Sequence, residues 1–487
     1  MKAKAVFVTN GKESICEVPV GTSVADAAKA AGITIGMPCG GKGICGNCRV
    51  IVSGGISAPS DLERELLSNA SKGERLACMT YINGDCRIEI PGSGKIATGT
   101  DGFEYKGVIS PVTGSKKCFA AAVDIGTTTV MIRVFSLPGG AAVGRKAFRN
   151  PQCAYGADVI TRIEKCRNGG LDGLKGCLDA ALDNSFEGLG IVPEFVVVTG
   201  NTAMLHIAAG LDPYGIANSP FRAESLFGEW IGNRYYMRCA APYIGGDAVA
   251  SLLDSDVTGS AETAVLTDVG TNNETVLWNG SKAFACSSSA GPAFEGANIS
   301  CGMTATDGAI TKVAYKQGGW KITTVGGFEP VGFCGSGLIS AIDALYANGF
   351  ISYEGIVLKE LPAFGKARLS PEDISETQLA KSAVRSGIEA LADHAGISVD
   401  KIQKYVPAGN FGATVDLDAA ERIGMIPKGF AGKARGSATA LNGASRLVLD
   451  ESGIKRSFDL AESIETVELA DSEKFAQDFI KYLNFPI

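Results

Sequence analysis

The spacing of apolar and polar residues divides the chain into a short β-rich segment and a long segment in which strands and helices alternate. Near the start, alternating runs over Ala5–Thr9 and Ser14–Val18 flank Asn10–Gly11, a residue pair that favours a tight hairpin turn. Ser23 opens an Ala-rich stretch with the spacing of a capped helix, and further short strands follow. The pattern predicts a small, mostly β domain of the α+β class over residues 1–90.

From about residue 108 onward, strand-like runs alternate with helical periodicity, which indicates an α/β architecture. Residues 120–135 and residues 264–278 share one layout: an apolar strand, then Asp, any residue, Gly and Thr, then a polar turn and a second apolar strand. This weak repeat predicts a duplicated, two-lobe domain over residues 118–487, with equivalent hairpins facing a central cleft. Between the two domains, residues 91–117 begin with a Gly- and Thr-rich stretch that lacks periodicity, which predicts a flexible linker.

The composition is that of a large globular protein: 487 residues, 45% of them hydrophobic and 20% charged. A net charge of -7 argues against nucleic acid as the main partner, and no apolar run approaches the roughly 18 residues of a membrane span. Fourteen cysteines without a signal-peptide pattern predict a reducing, cytoplasmic setting rather than a disulfide scaffold. Only His206 and His394 are present, which nearly excludes a multi-histidine metal site.

Four cysteines in the first domain have the spacing of metal ligands. Cys39, Cys45 and Cys48 form a C-x5-C-x2-C run in a Gly-rich loop, and Cys78 follows in the same domain. Soft thiolates suit iron, and such spacing predicts a 2Fe–2S cluster. The alternatives are a zinc site or ordinary buried cysteines, but zinc ribbons favour two C-x2-C pairs and only one is present. Cys86 is a second candidate for the fourth ligand.

The two Asp-x-Gly-Thr hairpins have the residue types that bind a nucleotide. Glycine at the turn lets phosphate approach backbone amides, threonine hydroxyls can bind phosphate oxygens, and an aspartate at a strand end can hold Mg²⁺ through water. The candidate residues are Asp124, Gly126, Thr127, Thr128, Asp268, Gly270, Thr271 and Asn272. A single hairpin of this kind could be an ordinary Gly-Thr β-turn, but two in equivalent contexts favour nucleotide binding.

Two glycine-rich loops are further candidates for the nucleotide site. Residues 332–341 predict a loop that opens a helix, where a helix N-terminus and bare backbone can approach a ligand, and residues 408–413 form a second such loop. A helix-packing glycine turn is the alternative for each. Asp247 could position water or Mg²⁺ or simply cap a helix, and Glu274 and Glu295 could face the cleft or the solvent.

Taken together, these motifs resemble the reductive activators of corrinoid enzymes, and the resemblance covers nearly the whole chain. It rests on the cysteine motif followed, in family order, by AAVDIGTTTV, NPQCAYGADVITRI, TGNTAMLH, YIGGDAVA, TDVGTNNE, SSSAGPAFEGA, GFCGSGLI, ETQLAKSAVRSGI and AGNFG. The resemblance implies a β-grasp ferredoxin-like 2Fe–2S domain joined to a duplicated α/β ATPase of the actin and sugar-kinase superfamily, which has a ribonuclease H-like fold.

The resemblance also implies roles for individual residues. It makes Asp124 to Thr128 the first phosphate loop and Asp268 to Asn272 the second, with Asp124 and Asp268 as the catalytic aspartates. It places Gly335, Ser336 and Gly337 in the adenosine region, with Gly409 as a further nucleotide contact. Two features differ from some family members: residues 91–123 are too few for an additional domain, and no cysteine follows Cys334, so a C-terminal 4Fe–4S motif is absent from the sequence.

The expected function is ATP-dependent transfer of one electron from the 2Fe–2S cluster to Co(II), which restores Co(I) in a corrinoid protein of a methyltransferase system. The expected cofactors are the cluster, ATP and Mg²⁺, and the expected partners are that corrinoid protein and an electron donor that reduces the cluster, with a second copy of the chain as a further candidate. The alternatives are an activator of a radical dehydratase, a small-molecule kinase with a redox sensor, and a nucleotide-dependent clamp without enzymatic turnover.

Overall fold

We describe the fold from a computed structural model. It describes residues 1–487 except residues 10–11, 34, 36, 38–40, 42, 44–47, 68–72, 91–102, 157, 471 and 487. Within the described residues, no helix combines the length and apolarity that a membrane crossing requires.

The N-terminal domain is a five-stranded sheet with two short helices against it. Its elements are β1 (Lys2–Thr9), β2 (Lys12–Pro19), α1 (Val24–Ala30), β3 (Arg49–Ile56), α2 (Asp61–Leu66), β4 (Glu74–Leu76) and β5 (Ile82–Glu89). The strand order is β2-β1-β5-β3-β4, with β1 and β2 antiparallel and β1 and β5 parallel. The predicted β1–β2 pair is confirmed, while the predicted turn at Asn10–Gly11 lies outside the described residues.

The predicted helix start at Ser23 is confirmed by its cap, and the second helix of this domain, α2, begins with a cap of the same kind at Ser60. The Ser23 side chain accepts a hydrogen bond from the backbone N–H of Asp26 at 3.0 Å, and the Ser60 side chain accepts one from Glu63 at 3.2 Å. Each bond satisfies a backbone donor that has no partner within the helix. The apolar face of α1 then packs on the sheet, where Phe7, Val24 and Ile88 are fully buried.

The first lobe of the large domain is built on a six-stranded sheet of order β10-β11-β9-β6-β7-β8. Its elements are β6 (Cys118–Ile125), β7 (Thr129–Leu137), β8 (Ala141–Arg149), α3 (Val159–Lys165), α4 (Leu171–Glu187), β9 (Pro193–Gly200), α5 (Thr202–Ala209), α6 (Tyr214–Ala217), β10 (Glu229–Ile231), β11 (Arg234–Tyr236) and α7 (Gly246–Ser255). The strands β6, β7 and β8 form an antiparallel meander, and β9 pairs in parallel with β6.

The second lobe repeats this arrangement. Its sheets have the orders β18-β12-β13-β14-β19 and β16-β15-β17. The elements are β12 (Ala264–Val269), β13 (Asn272–Trp278), β14 (Ala283–Ser289), β15 (Ala309–Lys316), β16 (Gly319–Thr324), β17 (Gly332–Phe333), α8 (Gly335–Ala347), α9 (Pro371–His394), β18 (Lys404–Ala408), α10 (Gly409–Gly412), α11 (Leu417–Arg422), α12 (Phe430–Lys433), α13 (Ala440–Leu449), α14 (Ser452–Ser463), β19 (Glu465–Thr466) and α15 (Glu473–Lys481). Here β12, β13 and β14 form the meander and β18 pairs in parallel with β12, so the predicted duplication is confirmed.

Although α13 follows β18 of the second lobe in the chain, it packs on the first lobe. Residues of α13 share a buried apolar cluster with β6 and β9, which includes Leu441, Leu447, Ala120 and Val197. Each lobe also has a large core of its own. The two lobes therefore have separate hydrophobic cores and are joined at one end. The C-terminal ends of β6 and β12 lie between them.

Part of the segment predicted as a linker is fixed to the large domain. The Phe103 ring packs edge-on against Phe135 at 5.9 Å, and the Tyr105 hydroxyl donates to the Asp450 carboxylate at 3.2 Å. Ser110 donates its N–H to Leu449 and accepts a hydrogen bond from the N–H of Glu451. These contacts differ from the predicted flexible linker over residues 91–117. Phe103 and Tyr105 pack against the large domain, and isolated aromatic residues of this kind leave no periodic pattern in the sequence.

Candidate functional site

A cleft between the two lobes collects almost all of the residues predicted to bind nucleotide. It has a cavity volume of about 240 Å³. The predicted residues that line it are Asp124, Gly126, Thr127, Thr128, Asp268, Gly270, Thr271, Asn272, Gly335, Ser336 and Gly409. Gly337 is not among the lining residues: it faces β15, where an added Cβ would collide with the Ile310 carbonyl oxygen. Gly337 therefore has the alternative role of a helix-packing glycine.

Gly126 and Gly409 show why the first hairpin and the loop at residues 408–413 need glycine. At the first hairpin, Gly126 donates its N–H to the Thr129 carbonyl at 3.0 Å, and a Cβ there would lie 2.7 Å from the same oxygen. Gly409 has a φ of +69°, and its missing side chain leaves the space that the Asp268 carboxylate fills. A larger residue at position 409 would displace a predicted catalytic group.

Five carboxyl groups face this cleft: Asp124, Asp247, Asp268, Glu274 and Glu295. Burial, followed by the charges of Asp247 and Asp268, raises the pKa of Asp124 well above its usual range. Burial raises the pKa of Asp247 to about 6, and burial together with the charges of Asp247 and Glu295 raises that of Asp268 to about 7. Burial also raises the pKa of Glu274, assisted by Asp247 and Asp268. The acids thus repel one another.

These acids fit Mg²⁺ in the way nucleotide sites hold it. Among the described residues, no three His, Cys, Asp or Glu side chains converge on one point as a complete metal site. Mg²⁺ usually takes only one or two carboxylates and completes its shell with water and phosphate oxygens. Asp124 and Asp268, at the ends of β6 and β12, are therefore placed to hold a metal that arrives with the nucleotide.

The first hairpin is supported from behind by residues to which the sequence pattern assigned no role. Asn150 donates its side-chain N–H to the Gly126 carbonyl and its backbone N–H to the Thr128 carbonyl, each at 2.8 Å. Arg162 is fully buried and donates to the Thr127 carbonyl at 2.6 Å. Both residues lie in the NPQCAYGADVITRI motif, so the motif signalled their importance without indicating the contact.

An aromatic pair forms one wall of the cleft near the glycine loops. The rings of Phe294 and Phe411 stack with their centroids 5.2 Å apart, and both residues line the cleft. Gly335, at the start of α8, packs against both, since a Cβ there would collide with the Phe294 carbonyl and lie 2.9 Å from the Phe411 ring. The sequence pattern did not single out either phenylalanine.

In the first domain, two of the four predicted cluster ligands lie together. The sulfur atoms of Cys48 and Cys78 are 3.2 Å apart, close enough for both to bind one iron, while Cys39 and Cys45 lie outside the described residues. Cys86 lies on β5 opposite Ala5, which in turn pairs with Cys16. This position favours Cys78 over Cys86 as the fourth ligand.

A buried ion pair anchors the segment that carries Cys78. Arg75 binds both carboxylate oxygens of Glu63 at 2.9 Å and donates to the Ser57 carbonyl at 2.7 Å. The Glu63 carboxylate also accepts the N–H of Leu76 at 2.8 Å. Burial alone would raise the pKa of Glu63, but the bonds from Arg75 and Leu76 outweigh it and lower the pKa. The network therefore fixes the backbone just before Cys78.

Replacing Glu63 with alanine should destabilise this domain by about 3–5 kcal/mol, because the Arg75 guanidinium would stay buried without its partner. The cluster absorbance of the full chain should then disappear at a clearly lower urea concentration. Glu13→Ala is the matched control: Glu13 pairs with Arg87 in the same domain, but both side chains are half exposed, so the change should cost less than about 1 kcal/mol. Equal loss in both variants would contradict the assigned role.

One segment of the first lobe touches both the phosphate hairpin and the ferredoxin-like domain. Asn150 begins it with the bonds described above, Ala154 packs against the buried core of the first domain, and the Lys29 ammonium lies 3.8 Å from the centre of the Tyr155 ring. The two domains therefore meet at residues 150–156. This segment was predicted as a family motif, and its position between the domains emerges only in three dimensions.

The fold and these sites define a class of protein: a ferredoxin-type domain joined to a two-lobe ATPase domain of the actin and sugar-kinase type. Residues 7–83 match the family described as the 2Fe-2S iron-sulfur cluster binding domain. Residues 119–260 match the RACo middle region, and residues 262–487 match the C-terminal domain of RACo, the ASKHA domain. The chain belongs to the family of reductive activators of corrinoid proteins.

Individual relatives agree with this assignment. The chain is 27% identical to the corrinoid activation enzyme RamQ of Eubacterium limosum, over 75% of this chain and 70% of that protein. It is 31% identical to a [Co(II) methylated amine-specific corrinoid protein] reductase of Methanosarcina barkeri, over 54% of each chain. The solved structure of a reductive activator for corrinoid, iron-sulfur protein superposes with a TM-score of 0.71 and 25% identity, covering 99% of this chain and 98% of that one. The predicted family and fold class are confirmed.

Proposed function

We propose that this chain couples ATP turnover in the interlobe cleft to the one-electron reduction of Co(II) to Co(I) in a corrinoid protein. The observation that carries the proposal is the presence on one chain of a ferredoxin-type domain with paired cysteine sulfurs and an acidic cleft between duplicated phosphate hairpins. Two relatives of the chain are named for corrinoid activation and for Co(II) corrinoid protein reduction.

ATP is needed because the electron transfer is uphill for an ordinary ferredoxin. Plant-type 2Fe–2S centres have potentials near −400 mV. If the cobalt potential lies about 100 mV lower, each electron requires about 2.3 kcal/mol, which is well within what ATP hydrolysis can supply. The coupling must work by changing which complex is stable, since a ligand shifts an equilibrium only by its differential affinity for the two states.

Each group of the cleft has a proposed task. The backbone N–H groups and threonine hydroxyls of the two hairpins would hold the phosphates, and Asp124 and Asp268 would hold Mg²⁺. Gly335, Ser336 and Gly409 flank the nucleoside, beside the Phe294–Phe411 wall. When bound, Mg²⁺ neutralises the phosphate charge and the mutual repulsion of the acids.

In the first domain, Cys39, Cys45, Cys48 and Cys78 would hold the 2Fe–2S cluster, which supplies one electron at a time when bound. The contact between Lys29 and Tyr155 places this domain against the segment that backs the first phosphate hairpin. Nucleotide occupancy can therefore affect the docking of the domain through residues 150–156. The electron donor, a homodimer and a cytoplasmic location stay predictions.

The test is a reduction assay with a methylated amine-specific corrinoid protein, the substrate class named for the M. barkeri relative. The full chain, with its cluster reduced by a chemical reductant, is mixed with the Co(II) form, and Co(I) is followed by its absorbance. We expect Co(I) only when ATP and Mg²⁺ are present. Equal Co(I) without ATP would remove the ATP part of the proposal, and ATP-dependent phosphorylation of a sugar or acid would favour the kinase alternative.

A further inference from the structure

Glu295 connects the two lobes at the position where the phosphate hairpins face each other. It ends the short 3₁₀ turn Ala293–Glu295 in the second lobe. Thr128 of the first hairpin donates its hydroxyl to Glu295 Oε2, and Thr271 of the second hairpin donates its backbone N–H to Oε1 at 2.8 Å. One carboxylate thus accepts hydrogen bonds from both phosphate loops at once.

The donors that Glu295 occupies are those expected to bind phosphate. Threonine hydroxyls and turn amides of this kind form anion sites, and a carboxylate oxygen presents the same hydrogen-bond acceptor as a phosphate oxygen. Both anions cannot occupy the same donors at the same time. Glu295 therefore occupies donors that a bound phosphate group would need.

A second, independent observation points to a ligand at this place. The Thr271 hydroxyl is buried and has no hydrogen-bond partner within the described part of the chain. A buried polar group without a partner is costly, so such groups in folded proteins usually receive one from water or a ligand. The second hairpin thus presents a free hydroxyl directly beside the amide that Glu295 occupies.

Electrostatics favours exchange of the two anions. Glu295 lies among four other cleft acids, Asp124, Asp247, Asp268 and Glu274. A triphosphate that enters the cleft repels the glutamate carboxylate. The bonds that Glu295 makes to Thr128 and Thr271 are therefore stable only while no phosphate is present.

We propose that Glu295 is a phosphate-displaced latch: it joins the lobes in the nucleotide-free state, and the phosphates of ATP displace it when they take its hydrogen-bond donors. The inference rests on the proposed ATP function of this cleft and adds its regulation. The latch competes with the phosphates for the same donors, so it lowers the affinity for ATP. A nucleotide too short to reach both hairpins leaves the latch closed.

The test compares equilibrium binding of a non-hydrolysable ATP analogue and of AMP, with Mg²⁺, by calorimetry on the full chain. In Glu295→Ala, the ATP analogue should bind on the order of tenfold more tightly, because two charge-assisted hydrogen bonds no longer compete with it. AMP affinity should change less than about twofold. Glu295→Gln keeps the shape and the acceptor oxygen without the charge, so it should show a smaller gain in the same direction.

Glu329→Ala is the control, because Glu329 is an exposed glutamate of the same lobe that pairs with Lys366 at the surface. Weaker or unchanged binding of the ATP analogue in both Glu295 variants, measured on folded protein with its cluster absorbance intact, would overturn the latch. Equal tightening for AMP would also overturn it, since AMP does not reach the occupied donors. If neither the parent chain nor Glu295→Ala binds the ATP analogue, the proposed function itself fails.

Discussion

Replacing Cys48 with serine is expected to remove the visible absorbance and the reduced-state paramagnetic signal of the cluster and to abolish reduction of Co(II). The Cys48 thiol is buried, with its sulfur 3.2 Å from that of Cys78. A serine hydroxyl is a harder and less acidic ligand for iron than a thiolate. Since changes outside the first ligand shell already cost about 10- to 100-fold in metal sites, loss of a ligand should lower Co(I) formation by more than about 100-fold.

The matched control for this prediction is Cys16→Ser. Cys16 lies in the same domain, and its sulfur is 3.7 Å from the Ala27 carbonyl, a contact that a serine hydroxyl can keep. Cys86→Ser tests the alternative fourth ligand and should keep the cluster. Retention of the cluster in Cys48→Ser, or its loss in Cys86→Ser together with retention in Cys78→Ser, would contradict the ligand assignment. ATP binding in the cleft should be unaffected in all four variants.

Replacing Asp268 with asparagine is expected to lower ATP turnover by about 100-fold or more, on the scale of removing one preorganised electrostatic group from an active site. Asp268 is partly buried at the end of β12, beside the gap that Gly409 leaves for it. Asparagine fills the same space but cannot supply the negative charge that would help to hold Mg²⁺. Phosphate release measured with and without the Co(II) corrinoid protein checks the prediction, and ATP-dependent Co(I) formation should fall with it.

Asp183→Asn is the control for Asp268→Asn, because Asp183 is exposed on α4 and its loss changes the net charge by the same amount. Its turnover should stay within about twofold of that of the parent chain. The cluster absorbance should be the same in both variants, since the first domain is untouched. Undiminished, ATP-dependent reduction in Asp268→Asn would remove this aspartate from the mechanism.

The local parts of both sites follow closely from the sequence. The hairpins at Asp124 and Asp268 could be predicted because an apolar strand followed by Asp-x-Gly-Thr specifies strand, turn and phosphate chemistry within a few residues. The helix start at Ser370 is also determined by neighbouring residues. The three-residue spacing of Ser370 and Asp373 is that of a capping box, and both of its hydrogen bonds form. Gly337 shows the limit of such reasoning, because a glycine needed for helix packing and a glycine needed for ligand approach look alike in a sequence.

The long-range contacts could not be predicted. Thr128 donates a hydrogen bond to Glu295 across the interlobe cleft, and Arg162 of α3 donates one to the Thr127 carbonyl. Tyr105 donates one to Asp450, which lies near the other end of the large domain in the sequence. Each contact depends on how separate elements pack against one another. Neither periodicity nor a short motif predicts which distant residues will come into contact. Motif order showed only that these segments mattered.

By itself, the sequence determined the division into two domains, the duplication of the second and the residue types of a cluster loop and two phosphate hairpins, because these properties depend on neighbours along the chain. The tertiary structure decided which carboxylates share the cleft, that Gly337 packs α8 on β15, that residues 103–110 are attached to the large domain, and that Glu295 accepts hydrogen bonds from both hairpins. The reason is physical: burial, mutual repulsion of charges and competition for hydrogen-bond donors arise only when residues distant in sequence are brought into contact.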